Sequence, residues 1–396
     1  MKICFVTSSF PRYREDTAAP WLLRTAEELT KKGSEISIFV PSFKRLKQTS
    51  YESIRIYRFG YFLSFFETLT HEESSAAKLH RIGCKILVIF YVLSGCINSF
   101  FYFLRNKFNV IDVHWPFPQA IFGIIGKYLT GAKLVYHFYA SEILLIKKDR
   151  FIKILVNFFM LFADHIITIS SFTESLIKNE LKYKIPVDVI PFGANTYNAI
   201  SSEVTHINKS KIDKIRLLFV GRLIERKGII YLLEAVKTLN EWGIPVLLTI
   251  VGEGYEKVLV KNFVEKYKLE KHINIKGEVP LQELKEAYNK CDIFVFPSII
   301  DSRGDTEGLG VVLIEALMFK RPVIASAVGG IVDIIKDNVT GFLVPEKDSK
   351  ALAEKILFIK DNYDYAKKIA ENGFDYVNKN FSWDVIIPKF LKVYRN

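Results

Sequence analysis

Short, uninterrupted runs of Val, Ile, Leu and Phe alternate with longer stretches of helical periodicity along nearly all of this chain, and that alternation limits the fold more than any other feature. A strand that is apolar at every position, rather than at every second one, has both faces covered. That is the condition of a parallel sheet flanked by crossover helices. In the first half such runs are Ile3–Thr7, Ile36–Val40, Ile54–Phe59, Val110–Val113, Lys133–His137, His165–Ile169 and Asp188–Ile190. In the second they are Arg216–Val220, Val246–Val251, Ile273–Lys276, Ile293–Phe296, Pro322–Ala325 and Gly341–Val344. Leu22–Lys32, Ile229–Trp242, Leu281–Lys290 and Lys350–Lys360 are among the periodic helices between them. From Gly193 to Lys214 the chain turns polar and aperiodic, rich in Ser, Asn and Lys, and reads as a linker. The expected organisation is α/β, with two facing doubly wound, Rossmann-like domains. The first covers 1–192 and the second 215–375, joined by a linker at 193–214, and a C-terminal helix (376–396) packs back on the first domain. In such a fold a ligand lies at the carboxyl ends of the strands, in the cleft between domains.

At 49% hydrophobic and 25% charged, the 396-residue chain can fill two or three cores, which excludes intrinsic disorder. Its 21 glycines and 13 prolines exclude collagen-like and linker-dominated chains. Cys4, Cys84, Cys96 and Cys291 form no C-x-x-C pair, so neither a disulfide framework nor a zinc ribbon is expected, and a reducing compartment fits. The amino terminus does not read as a signal peptide, because the apolar run Ile3–Val6 soon gives way to Pro11, Arg12, Arg14, Glu15 and Asp16. The net charge of +12 suits an anionic partner: nucleic acid, acidic lipid or a phosphorylated small molecule. No recognised nucleic-acid-binding motif is present, and no nucleic-acid partner is expected.

One segment bears on the membrane. Ile86–Leu104 carries no charge, is long enough to cross a hydrocarbon core, and is bracketed by Lys85 and Arg105. Ser94, Gly95, Asn98 and Ser99 interrupt it, so a span, an interfacial helix and a buried core helix all stay open. Phe151–Ala163 is similar, with Lys153 and Asn157 as polar breaks and Lys147, Lys148 and Arg150 ahead of it. Cations beside apolar, aromatic helices suit contact with an anionic surface, so peripheral attachment through the first domain is expected.

Two stretches carry the chemistry. In Phe219–Gly228, FVGRLIERKG, a strand ends at Gly221, a turn holds Arg222 and Lys227, and Gly228 opens the next helix. Cations and free backbone N–H groups at a strand-to-helix turn make a phosphate site, although two solvated surface cations would give the same sequence. In Pro297–Gly330 a strand is followed by a loop containing Glu307, Gly308 and Gly310, then by a helix running to about Lys320. The glycines let backbone approach a ligand closely, and Glu315, about two turns along an apolar helix, needs hydrogen-bond donors if it is buried. A ribose diol would supply two, while a buried ion pair or a solvent-facing position would account for it without a ligand.

Together these stretches resemble the retaining glycosyltransferases of family four, which have the two-domain B-type glycosyltransferase fold. The resemblance rests on G-R-L-x-x-x-K-G, V-G-E-G at Val251–Gly254, the Gly277 turn and P-S-x(n)-E-G-L-G-x-x-x-x-E-A-L in the family's order. P-V-I-A-S-x-V-G-G, T-G-F-L-V-P at Thr340–Pro345 and F-S-W at Phe381–Trp383 extend it. It implies that Arg222 and Lys227 bind the diphosphate of a nucleotide-sugar donor, that Glu315 holds the ribose hydroxyls and that Glu307 holds the transferred sugar. It further implies donor contacts from Gly308, Leu309 and Gly310, from Gly252 and Gly254, and from Gly277 to Val279 beside the base. His137 matches the histidine that the family places by the donor sugar, and His114, in DVHWPFP, is a competing candidate.

The sequence departs from the family in two places. The first loop, Pro11–Trp21, lacks the Gly-Gly pair, leaving Asp16 to Ala19 as backbone donors, and the acidic residue after His137 is displaced to Glu142. Loss of a nucleoside diphosphate builds negative charge that many enzymes screen with a divalent cation. No Asp-x-Asp triad is present, so no metal and no cofactor are expected, Arg222, Lys227 and a helix terminus serving instead. With no carboxylate nucleophile evident beside His137, the resemblance implies front-face attack with retention. The expected enzyme moves a hexose from a UDP- or GDP-sugar to a lipid-linked or polysaccharide acceptor, in the cytoplasm at the inner face of the cell membrane. A soluble sugar-phosphate glycosyltransferase and a non-catalytic nucleotide-sugar-binding protein are the alternatives. A dinucleotide oxidoreductase is disfavoured, because Gly252-Glu253-Gly254 lacks the third glycine of its fingerprint.

Overall fold

The computed structural model describes residues 1–13, 16, 19–44, 46, 49–70, 82–193 and 214–396. The chain forms two compact units, Met1–Gly193 with Ile386–Asn396, and Ala194–Val385.

In the first unit eight strands form one sheet in the order β3-β4-β2-β1-β5-β6-β7-β8. They are β1 (Lys2–Val6), β2 (Glu35–Pro41), β3 (Ser50–Tyr51), β4 (Ile54–Phe59), β5 (Val110–His114), β6 (Lys133–Phe138), β7 (His165–Thr168) and β8 (Val187–Val189). All neighbours run parallel except β3 and β4, and β3, at two residues, is too short to leave a hydrophobic signature in the sequence. β1 is buried except at Lys2, and β5 throughout, as uninterrupted apolar strands require. The winding reverses between β1 and β5, and ligands in open α/β sheets bind at such switch points.

The second unit has a six-stranded parallel sheet in the order β11-β10-β9-β12-β13-β14. Its strands are β9 (Ile215–Val220), β10 (Val246–Val251), β11 (Ile273–Gly277), β12 (Ile293–Phe296), β13 (Val323–Ser326) and β14 (Phe342–Val344). Here the winding reverses between β9 and β12, so the loops that follow these two strands flank the switch point. Every expected strand forms, and the doubly wound parallel architecture holds in both units.

The helix Tyr363–Phe381 runs through residue 376, so the final element starts later than expected, at Trp383. Its residues from Ile386 onward belong to the first unit, where Lys133 Nζ donates to the Val393 carbonyl at 2.5 Å and Phe390 is buried. Of the expected linker, residues 194–213 lie outside the described residues.

The long apolar segment is one helix, Ile82–Arg105, packed on the helix Pro116–Thr130. The two approach closely at Gly95, where an added Cβ would stand 2.2 Å from the Phe122 ring. Tyr91, Ser99 and Phe103 face the core, while Asn98 Oδ1 accepts from the Tyr57 hydroxyl at 2.8 Å. This helix is buried on one face only.

Candidate functional site

The loop after β9 carries three cations rather than two. Arg222 is exposed, whereas Arg226 and Lys227, in a short turn closed by Gly228, fold inward. Gly228 has φ +62°, and a Cβ there would meet the Pro297 carbonyl oxygen at 2.0 Å, so only glycine lets this loop lie against the loop after β12. Ile299 N donates to the Arg226 carbonyl at 2.9 Å, and Glu225 accepts from Ser302 N and Oγ at 2.8 Å each, fastening the same two loops together.

Glu307 is the centre of the arrangement. Its Oε2 accepts from Lys227 Nζ and from Arg226 Nη1, the latter at 3.1 Å, while Asp305 stands 3.7 Å from Arg226 Nε. Burial alone would raise the Glu307 carboxyl, but Lys227 and Arg226 outweigh it and hold the group down to about 2. It is therefore a fixed carboxylate, able to accept hydrogen bonds and unable to donate one. At Lys227 burial prevails. Burial lowers its ammonium to about 8, and Glu307 only partly offsets this while Arg226 and Arg222 repel it. Both groups move down, which keeps the carboxylate charged and makes the buried ammonium easier to deprotonate. Arg226 and Arg222 both repel the Lys227 ammonium, and an anion placed against these cations would relieve that repulsion.

Glu315 is buried, and Tyr288 Oη donates to its Oε2 at 3.0 Å. Its helix begins at Val311, so it lies just over one turn in rather than two. Gly310 precedes that helix at φ +90°, Leu309 is buried, and the Gly308 carbonyl lies against Gly330. Gly252, at φ +133°, is needed for packing: a Cβ would stand 2.0 Å from the Gly221 carbonyl oxygen, and Gly254 meets Leu223 in the same way. These two glycines support the Arg222 loop from behind. Gly277 ends β11, its carbonyl accepting from Gly252 N at 2.8 Å, and Val279 follows half-buried.

In the first unit the two candidate histidines are neighbours rather than alternatives. His114, which ends β5, pairs in register with His137, one residue before the end of β6, and their ring centroids are 4.9 Å apart. Asp112 Oδ2 lies 3.7 Å from His114 Nε2 and 3.8 Å from His137 Nδ1, and it accepts from the Tyr394 hydroxyl at 2.5 Å. His114 Nδ1 bonds the Tyr139 hydroxyl at 2.6 Å, and Tyr139 stacks on His137. Burial lowers His114 to about 3, leaving it neutral. Burial would raise the Asp112 carboxyl, but His114, His137 and Tyr394 together hold it below its ordinary value. Among the described residues, Asp112, His114 and His137 bring one ligand atom each within 4.8 Å of one another, so this trio could hold a cation.

Glu142 Oε1 accepts from Tyr139 N at 2.7 Å, which gives the displaced acidic residue a turn-closing task. In the first loop Asp16 accepts from Arg12 N, Nε and Nη2 at 2.7–2.8 Å, and its own N–H closes a turn onto Tyr13. Residues 17 and 18 lie outside the described residues. The sequence reading missed Arg226, whose signal was its place beside Lys227, and missed Tyr288, Asp112 and Tyr394, which no motif marks.

Comparison with known proteins agrees with this layout. Residues 20–197 match the model described as Glycosyltransferase Family 4, and residues 202–376 match Glycosyl transferases group 1. An uncharacterised glycosyltransferase of Methanocaldococcus jannaschii is 24% identical, the alignment covering 93% of this chain and 92% of that protein. A capsular polysaccharide biosynthesis glycosyltransferase of Staphylococcus aureus is 25% identical over 78% of this chain and 82% of its own. Among solved structures, sucrose-phosphate synthase of Thermosynechococcus elongatus has a TM-score of 0.76 at 21% identity, covering 100% of this chain and 98% of its own. Anabaena HepE in complex with UDP has a TM-score of 0.70 at 18% identity, covering 99% of each. The two models meet where the two units divide, and the chain belongs to glycosyltransferase family four, with the B-type glycosyltransferase fold.

Proposed function

We propose that this protein is a retaining hexosyltransferase of surface glycan synthesis. It takes its sugar from a UDP- or GDP-sugar and delivers it to a lipid-linked or polysaccharide acceptor, without a metal ion, on the cytoplasmic side of the cell membrane and in peripheral contact with it. The observation that carries this reading is the gathering of cations at the β9/β12 switch point, where Arg222, Arg226 and Lys227 all act on Glu307. The diphosphate would sit against Arg222 and Lys227, and each charge-assisted bond to it is worth about 1.5–3 kcal/mol. Glu307, kept ionised, accepts hydrogen bonds from the sugar's hydroxyls, and Glu315 accepts from the ribose diol beside its bond from Tyr288. Gly308, Leu309 and Gly310 offer backbone toward the sugar and the distal phosphate, with Gly277 to Val279 beside the base. His137, oriented by Asp112, serves the donor sugar.

The capsule-synthesis relative supports a glycan acceptor, and the UDP complex of the Anabaena protein supports a nucleoside diphosphate donor. The test is a panel of UDP- and GDP-sugars presented with membrane extracts as acceptor, read by nucleoside diphosphate release and by NMR of the new anomeric linkage. One donor should be consumed with its anomeric configuration kept. Inversion at the anomeric carbon, or consumption of no donor, would overturn the proposal.

A further inference from the structure

The helix Ile82–Arg105 turns its polar breaks toward protein and its apolar side chains outward. Ser99 is buried, Asn98 accepts from Tyr57, and Ser94 Oγ donates to the Gly60 carbonyl at 2.5 Å. On the opposite face Ile86, Ile89, Leu93, Ile97, Phe100 and Leu104 follow one another at helical spacing, all exposed, Leu93 at 57%. At about 1.5 Å per residue this stripe is roughly 27 Å long. The helix Arg150–Met160 repeats the pattern with Phe151, Ile154 and Phe158, continued by Leu161. Both helices pack on the helix Pro116–Thr130, so the two stripes belong to one layer of the first unit. A third element joins them: Leu63, Phe65 and Phe66 are exposed beside Phe62, which lies 5.1 Å from the Phe90 ring.

Such an area of exposed apolar surface is far more than a soluble monomer ordinarily carries. Its charge surroundings choose among possible occupants. Arg55, Arg105, Lys107, Lys147, Lys148 and Arg150 are exposed on the same segments or next to them. Asp149, the acidic residue among them, is engaged as a helix cap, accepting from Phe151 N and Ile152 N. Pairing this face with a second copy of itself would bring like charges together, whereas anionic headgroups complement them. A helix with one face fixed in a protein core is not free to cross a bilayer alone.

We propose that these three segments form an in-plane docking face for an anionic lipid bilayer, with both helices parallel to the surface and their exposed side chains among the acyl chains. This rests on the membrane contact in the proposed function and gives it residues.

The test uses the full chain and flotation with vesicles of phosphatidylglycerol and phosphatidylcholine, beside vesicles of phosphatidylcholine alone. The wild type should float with the anionic vesicles and much less with the neutral ones. The combined Ile89→Ser, Leu93→Ser, Ile97→Ser variant should lose roughly a hundredfold or more in partition coefficient, at an unchanged melting temperature. Lys147→Glu, Lys148→Glu and Arg150→Glu together should lose about fivefold or more per residue. Equal flotation of wild type and triple serine variant overturns the docking face, as does a wild type that stays in solution as a dimer. Resistance to extraction by high salt and alkaline carbonate would instead indicate a span, and also overturns it. Donor consumption is measured on the same samples: its absence counts against the proposed transferase and leaves the docking result standing.

Discussion

Lys227→Ala is the most informative substitution. The ammonium it removes is buried, bonded to Glu307 and seated 4.4 Å above the Phe296 ring. If that ammonium faces the diphosphate leaving group, its deletion removes one donor from the transition state, a change worth on the order of 10²–10³ in turnover. Ground-state affinity for UDP or GDP should fall less, by about 10- to 150-fold, corresponding to one charge-assisted bond of about 1.5–3 kcal/mol. Stability should move little in comparison. Breaking a buried pair costs about 3–5 kcal/mol when the survivor is left alone, but Glu307 keeps Arg226 at 3.1 Å and the desolvated lysine is itself relieved. Lys227→Met, which keeps the packing on Phe296, separates the lost charge from the lost volume. The assays are nucleoside diphosphate release, calorimetric titration of UDP and GDP, and a melting curve for each variant. Turnover within threefold of wild type in both variants would refute the role of this residue.

Other consequences can be checked alongside. Because the free Lys227 ammonium is lowered to about 8, nucleoside diphosphate affinity should weaken as pH rises through 8, by up to about tenfold per unit; Lys227→Arg should flatten the profile, and an unchanged profile would contradict it. Tyr288→Phe removes the hydroxyl that donates to buried Glu315 and should cost about 1–3 kcal/mol in denaturant melts, with weaker binding of ribose-containing ligands than of inorganic pyrophosphate. His114 is held neutral well below its ordinary value of 6.5, so it contributes stability above pH 6.5 that is lost as pH falls toward 3. His114→Asn should therefore melt with a shallower acid slope over that window, and a slope equal to wild type would rule the effect out.

The regular elements were readable because buried parallel strands are apolar at every position. β5, VIDVH, is the instructive exception: its central Asp112 looks like an interruption but is buried and used. The sequence showed His114 and His137 as competitors because their adjacency comes from the β5–β6 register, which no local pattern encodes. Arg226 was passed over for its neighbour because sequence spacing does not reveal which of two adjacent cations turns inward; here both do. The glycines at 252 and 254 were read as ligand contacts, whereas their strict requirement comes from the Gly221 and Leu223 carbonyls behind them. The membrane question stayed open for a similar reason, since length and hydropathy cannot say which face of Ile82–Arg105 is covered.

Calorimetric titration of the cognate nucleoside diphosphate sugar in the presence of a chelator tests the central claim most directly. Saturable binding that survives the chelator and weakens at least tenfold in Lys227→Ala is the predicted result. Binding that disappears with the cation, or that ignores the lysine, would contradict it.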